Sequence, residues 1–272
     1  MKNVLVAVDF SKHSTAAVAT AAFLAEAHHA VVTILHVVQG PIDWSRLSTT
    51  ARQEYPETLK RISSAWAQLG AFKKFKPLKP VKSRFDVAVG SVDREVTRYA
   101  EAREAELIVM GVHGADESVA FIGSTTQRVI RSAPCPVLSV KKEFILRKPQ
   151  RIVFPVDTHT SFTPALKQIA DLAAPFKPEI EIVFINTPTG FVDSETVQKR
   201  LSSQLSKFRG VRYKVATHNA LDKSDGILQF AKNADMIAIA TTRRRLHTPA
   251  HHIGVTETVL FRSESPVWSV TI

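Results

Sequence analysis

Cysteine is almost missing from this chain: the 272 residues include one, Cys135, so no intrachain disulfide can form and no cysteine cluster can hold a metal. Such usage fits a reducing compartment, and the cytoplasm is the expected location. Long apolar runs are missing too. None approaches the roughly 20 residues that a spanning helix needs. The opening MKNVLVAVDF has one lysine and a short apolar run that meets Asp9, without the small-residue cleavage region of a secretion signal. No insertion into a membrane is expected. Acidic residues are the scarcer charge, with 25 Asp and Glu against 36 Lys and Arg, and the formal net charge of +11 invites an anionic partner. The basic residues carry no recognisable nucleic-acid-binding module, so sequence-specific nucleic-acid binding is not expected. Runs such as Lys73, Lys74 and Lys76 read as solvated surface.

What the chain does have is a repeat. Val4 to Val8 lead into Asp9, and far downstream Ile152 to Val156 lead into Asp157. Each apolar run is followed by an Ala-rich helical stretch, over residues 14–28 and 163–174, where Thr163 and Pro164 read as a cap followed by proline at the first helical position. Short β-branched runs follow at 31–38 and 180–185. A second helix comes next in each half, the later one placing Val197, Leu201, Leu205 and Phe208 on one face. Strand-like segments at 81–89 and 213–216, short helices, apolar runs at 107–110 and 236–240, and closing runs at 136–140 and 266–270 complete the two copies.

Strands alternating with helices imply right-handed crossovers and a parallel sheet covered on both faces. The expected fold is α/β, with two tandem doubly wound parallel-sheet domains of Rossmann-like form, 1–143 and 150–272, joined through the polar stretch at 141–150. Ligands in such sheets sit beyond the carboxyl ends of the strands, where strand order reverses. Asp9 and the stretch GVHGADESVAFIGSTTQRVI, residues 111–130, both lie at such ends.

That stretch runs from a strand through Gly111, Gly114 and Gly123 into Ser124, Thr125 and Thr126 at a helix start, which would aim N–H groups and a helix N-terminus at an anion. Taken alone, clustered glycines are as compatible with ordinary turns. Asp9 has two readings as well: a cap for the turn that follows, or an acceptor for ribose hydroxyls or the adenine amine.

In order, spacing and composition the chain resembles the universal stress protein family, in its tandem two-domain form, through VLVAVDFS, VTILHVV, IVMGVHG, GSTTQRVI and CPVLSV. The resemblance spans essentially the whole chain. It implies a stress-response protein of adenine nucleotide α-hydrolase-like fold that binds ATP, ADP or AMP, with Mg as companion ion, and at most hydrolyses it slowly. It puts Asp9 and the strand around Val37 on the adenosine side, Met110 and Gly111 near the ribose, and Gly114, Gly123, Ser124, Thr125 and Thr126 around the phosphates. It also implies an internal pseudo-dimer through the closing strands, with further homo-oligomers open to it. The family's nucleotide-binding pattern is Gly, two residues, Gly, nine residues, Gly, then Ser or Thr. Here eight residues separate Gly114 from Gly123, and Ala7 stands where the family often has proline.

In the second half Thr241 and Arg244 replace the first two glycines, while Gly254 survives. An arginine fills space that a phosphate needs and does not adopt a φ-positive backbone cheaply, so this cradle reads as degenerate. His247, His251 and His252, with His113, make an incomplete set for zinc, interrupted by Pro249 and lacking a local carboxylate. Together with Arg243, Arg244 and Arg245 they would also suit an anion. No motif positions a general base, and Ser124 and Ser139 have no local His or Asp arrangement. Two readings remain: a regulatory adenine-nucleotide-binding protein with its site in the first domain, or an interaction protein that acts through its surfaces without nucleotide.

Overall fold

The computed structural model describes residues 1–41, 44–112, 124–141, 148–158, 160–206, 208, 211–241 and 254–271. These divide into two compact units, one ahead of the break after residue 141 and one beyond it. In the first, β1 (Asn3–Val8), α1 (Lys12–His28), β2 (Val31–Val38), α2 (Thr49–Gln53), α3 (Pro56–Phe72), β3 (Ser83–Val89), α4 (Val92–Ala102), β4 (Leu107–Gly111), α5 (Ser124–Ser132) and β5 (Val137–Val140) follow one another. The strands lie in the order β3-β2-β1-β4-β5, and every described pairing among them is parallel. Strand order therefore reverses between β1 and β4.

Alternation does not govern the central strands, because a parallel sheet with helices on both faces buries every residue. Leu5, Val6, Ile34, Leu35, Ile108, Val109 and Leu138 are all fully buried, each contributing about 1.5–3 kcal/mol over the exposed state. The spacing at 81–89 reads as an alternating strand, but β3 begins at Ser83 and its last two residues, Ala88 and Val89, are both buried. Covering β1 and β4 is α1, whose Ala17, Ala21 and Ala25 are fully buried. Small side chains bring this helix close to the sheet. Ser11 caps it by accepting from the Ser14 N–H at 3.2 Å, and His29, at φ 55°, ends it with its N–H directed at the carbonyls of Ala25 and Glu26.

The second unit repeats the plan with β6 (Arg151–Val156), α6 (Thr163–Ala173), β7 (Glu179–Asn186), α7 (Ser194–Leu205), β8 (Arg212–Asn219), α8 (Lys223–Phe230), β9 (Met236–Thr241), α9 (Val255–Arg262) and β10 (Val267–Thr271). Its strands are parallel in the order β8-β7-β6-β9-β10. One helix start differs from expectation. Thr163 is the first helical residue of α6, not its cap, and Phe162 holds the cap position. Phe162 is buried edge-on against Phe154, and its N–H donates to Gln204 Oε1 at 3.0 Å, so packing fixes the entry to the helix. Among the described residues no helix is long and apolar enough to cross a membrane.

Candidate functional site

The reversal between β1 and β4 makes the first unit's carboxyl edge the place where a ligand would enter. Asp9 stands immediately beyond β1, Val37 lies near the end of β2, and Met110 and Gly111 end β4. In register Ala7 faces Met110 on one side of β1, and Val8 faces His36 on the other, so these residues share one edge of the sheet. Val37 and Met110 are buried, which makes them walls; Asp9 is exposed.

Asp9 Oδ1 accepts from the Ser11 N–H at 3.0 Å, which is the turn-capping geometry. Partial shielding of the carboxyl by its surroundings works against ionisation, but hydrogen bonds from Ser11 and Ser14 outweigh it and hold the group below its ordinary value of 3.8. At neutral pH Asp9 is an anion with acceptor capacity to spare. Both sequence readings of Asp9, turn cap and ligand acceptor, are open to one carboxylate with two oxygens.

Gly111 is explained from inside the fold. A Cβ there would lie 2.4 Å from the carbonyl carbon of His13 and 2.7 Å from its Cβ and O, so any side chain would push α1 off β4. The glycine is required by helix–strand packing whether or not a ribose lies nearby. Thr125 and Thr126 open α5, with Thr126 buried and Thr125 accepting from Arg128 Nη2 at 3.4 Å. Arg128 also reaches Asp93 on α4 at 3.4 Å, fixing the first turns of α5 from the neighbouring helix. Ser124 is the first residue of α5. Gly114 and Gly123 lie outside the described residues, as do His113 and the segment holding Arg243, Arg244, Arg245, His247, His251 and His252.

Two residues join this edge that sequence reasoning did not place there. Phe10 adopts φ 65°, an uncommon backbone for a bulky residue, with its ring 4.4 Å from that of His36 and stacked at 6.3 Å on Phe72 of α3. His36 is half-buried, and its Nδ1 lies 2.8 Å from the Val8 carbonyl oxygen. A carbonyl only accepts, so Nδ1 carries the hydrogen and donates it. Beside Phe10 a cavity of about 350 Å³ opens between α1 and α3, walled by Phe72, Phe75 and Ala71 with Thr15 and Gln68 as its polar groups. Nothing in the local sequence signals the φ-positive Phe10, because α3 lies more than forty positions further along the chain.

The matching edge of the second unit is occupied by its own side chains. Asp157, the counterpart of Asp9, faces Lys223 Nζ at 3.5 Å. Thr158 stands in the place of Phe10 and accepts from Arg200 Nη1 at 3.3 Å, while Gln204 donates to the Thr160 carbonyl at 3.2 Å. Thr241, where the first unit has Gly111, donates its hydroxyl to the Val270 carbonyl at 3.3 Å. Asp157 thus has a cationic neighbour, whereas among the described residues no ion pair reaches Asp9.

A family model described as the universal stress protein family matches residues 1–141. A universal stress protein of Methanocaldococcus jannaschii is 34% identical over 101 residues, covering 36% of this chain and 53% of that protein, so the chain spans about half the length of that relative. A Thermus aquaticus universal stress protein is 30% identical over 141 residues, which is 52% of this chain and 98% of the relative. In overall fold the chain is similar to the crystal structure of a universal stress protein from Archaeoglobus fulgidus, with TM-score 0.79 over 99% of this chain and 98% of that one at 17% identity. This chain belongs to the universal stress protein family, in an α/β form with a mostly parallel sheet in each half.

Proposed function

We propose that the protein binds one adenine nucleotide, ATP or its products ADP and AMP, at the carboxyl edge of the first unit, and that occupancy regulates its shape or assembly. The observation that carries this reading is the contrast between the two strand-order reversals: Asp9 is an exposed anion at one, whereas Asp157 faces Lys223 at the other. Asp9 would accept from ribose hydroxyls or the adenine amine, with Val37 and Met110 as apolar walls. Gly114, Gly123, Ser124, Thr125 and Thr126 would receive the phosphates, and the hydroxyls at the start of α5 suit phosphate oxygens or a Mg ion. The resemblance of the sequence adds an internal pseudo-dimer to this proposal. A stress-response role in the cytoplasm belongs to the same reading, and no step of catalysis is assigned.

One observation favours the second reading, an interaction protein without nucleotide. Packing against His13 accounts for Gly111 without a ligand, which removes one glycine from the motif's support. Mass spectrometry of the small molecules released by denaturing freshly purified protein separates the two. Adenine nucleotide in near-stoichiometric amount supports the proposal; its absence, together with no uptake of added ATP, favours the interaction protein.

A further inference from the structure

A different cavity lies in the second unit, at the amino ends of its strands and so at the opposite edge from Asp157 and Thr241. Its volume is about 780 Å³, within the roughly 300–1,000 Å³ usual for small-ligand pockets. Lys148 precedes β6, Lys177 precedes β7, Arg212 begins β8 and Lys167 comes from α6, and all four line it. Among the described lining residues Asp171 is the one acidic group. No ion pair joins Lys148, Lys167 or Lys177 to a carboxylate among the described residues.

Part of this charge complements the C-terminal end of α6, but a helix end presents only about half a negative charge. With Asp171 included, an excess of positive charge faces the cavity. The rest of its described wall is apolar: buried Phe176 and Pro178, half-buried Phe208 and Val211, and Ala170, Ala173 and the capping Ala174 at the end of α6, whose small side chains leave the space open. Among the described residues no serine, threonine, asparagine or glutamine lines it. Apart from the charged groups, nothing in the described lining pairs with the hydroxyls of a sugar or the amides of a peptide, so burying them here is unfavourable. An alkyl chain carries no such groups.

We propose that this cavity is a binding site for a small anionic amphiphile, an apolar tail ended by a carboxylate or phosphate head. The tail lies against Phe176, Phe208 and the alanine face, and the head meets Lys167, Lys177 and Arg212. The site is independent of the nucleotide reading, since its residues lie in the other unit.

The test is calorimetric titration of the full chain with decanoate, decyl phosphate, 1-decanol and inorganic phosphate, each below its aggregation concentration. Decanoate or decyl phosphate should bind at least tenfold more tightly than either decanol or phosphate alone, and the better of the two identifies the head group. Two variants separate charge from space. Lys167→Gln combined with Lys177→Asn removes two cations, and asparagine suits the φ of 52° at position 177; affinity should fall at least tenfold with the melting temperature little changed. Ala170→Leu fills the floor and should abolish binding while leaving the charge intact. Saturating ATP should leave decanoate affinity unchanged. Equal binding of decanol and decanoate, no effect of either variant, displacement by ATP, or sedimentation with anionic vesicles without binding of monomeric amphiphile would each overturn the proposal.

Discussion

The Cα of Gly111 sits so close to the backbone of His13 that a Cβ built on it falls 2.4 Å from the His13 carbonyl carbon. The contact ties the end of β4 to the first turn of α1, the two elements on either side of the expected ligand edge. Because the obstacle is backbone and not the tip of a flexible side chain, Gly111→Ala should destabilise the protein by about 1–3 kcal/mol through overpacking. Denaturant unfolding of the variant checks this. Wild-type stability would mean that glycine is kept for a ligand alone.

Asp9 should separate binding from folding. Replacing it with Asn leaves the turn and an acceptor oxygen but removes the charge. A hydrogen bond to a charged group is worth about 1.5–3 kcal/mol, so ATP affinity should fall on the order of tenfold or more. The carboxyl is held below 3.8, its charge opposed by partial shielding and favoured more strongly by hydrogen bonds from Ser11 and Ser14. A lowered folded value means that its contribution is complete above the ordinary carboxylate range and is lost as pH falls through the lowered value. The ratio of wild-type to variant affinity should therefore be the same at pH 8 and pH 5. A ratio that differs between the two would contradict a carboxyl held below its ordinary value.

How far the sequence reveals this molecule depends on how local the signal is. The runs ending at Asp9 and Asp157, the Ala-rich helix after each and the β-branched strand of residues 31–38 are readable because composition and spacing report burial within a single element. Gly111 carries a second meaning that spacing does not reveal, since His13 approaches it from almost a hundred residues earlier. Phe10 takes its φ-positive backbone against rings from β2 and α3. Closure of the second edge is equally hidden: Lys223 and Arg200 come from α8 and α7, and no pattern around Asp157 announces them. Thr163 shows the same limit at a helix end, where burial of Phe162 moves the start by one residue.

The pair of Asp157 and Lys223 is exposed on both sides, and exposed pairs contribute only about 0–1 kcal/mol. Lys223→Met should therefore leave the melting temperature nearly unchanged. It should not create a second nucleotide site, because Arg200 still holds Thr158, and Thr241 and Arg244 still stand where the first half has glycines. Appearance of a second ATP site in this variant would show that the lysine alone closes that edge.

Cys135 should be a poor nucleophile. Burial chiefly, and then the charge of Glu106, push its thiol from 9.0 up to about 12. Alkylation by iodoacetamide at pH 8 should be far slower in the native protein than in urea. With the folded value raised, the thiol's contribution to stability is complete below about pH 9 and is lost as pH rises towards 12. Equal labelling rates in native and unfolded protein would contradict this placement.

The most direct test of an asymmetric nucleotide-binding protein is the stoichiometry of ATP binding to the full chain by calorimetry, beside the variant Gly114→Arg, which copies Arg244 of the second half. The account predicts one ATP per chain, and none in the variant at unchanged melting temperature. Two sites per chain, none in the wild type, or undiminished binding in Gly114→Arg would contradict it.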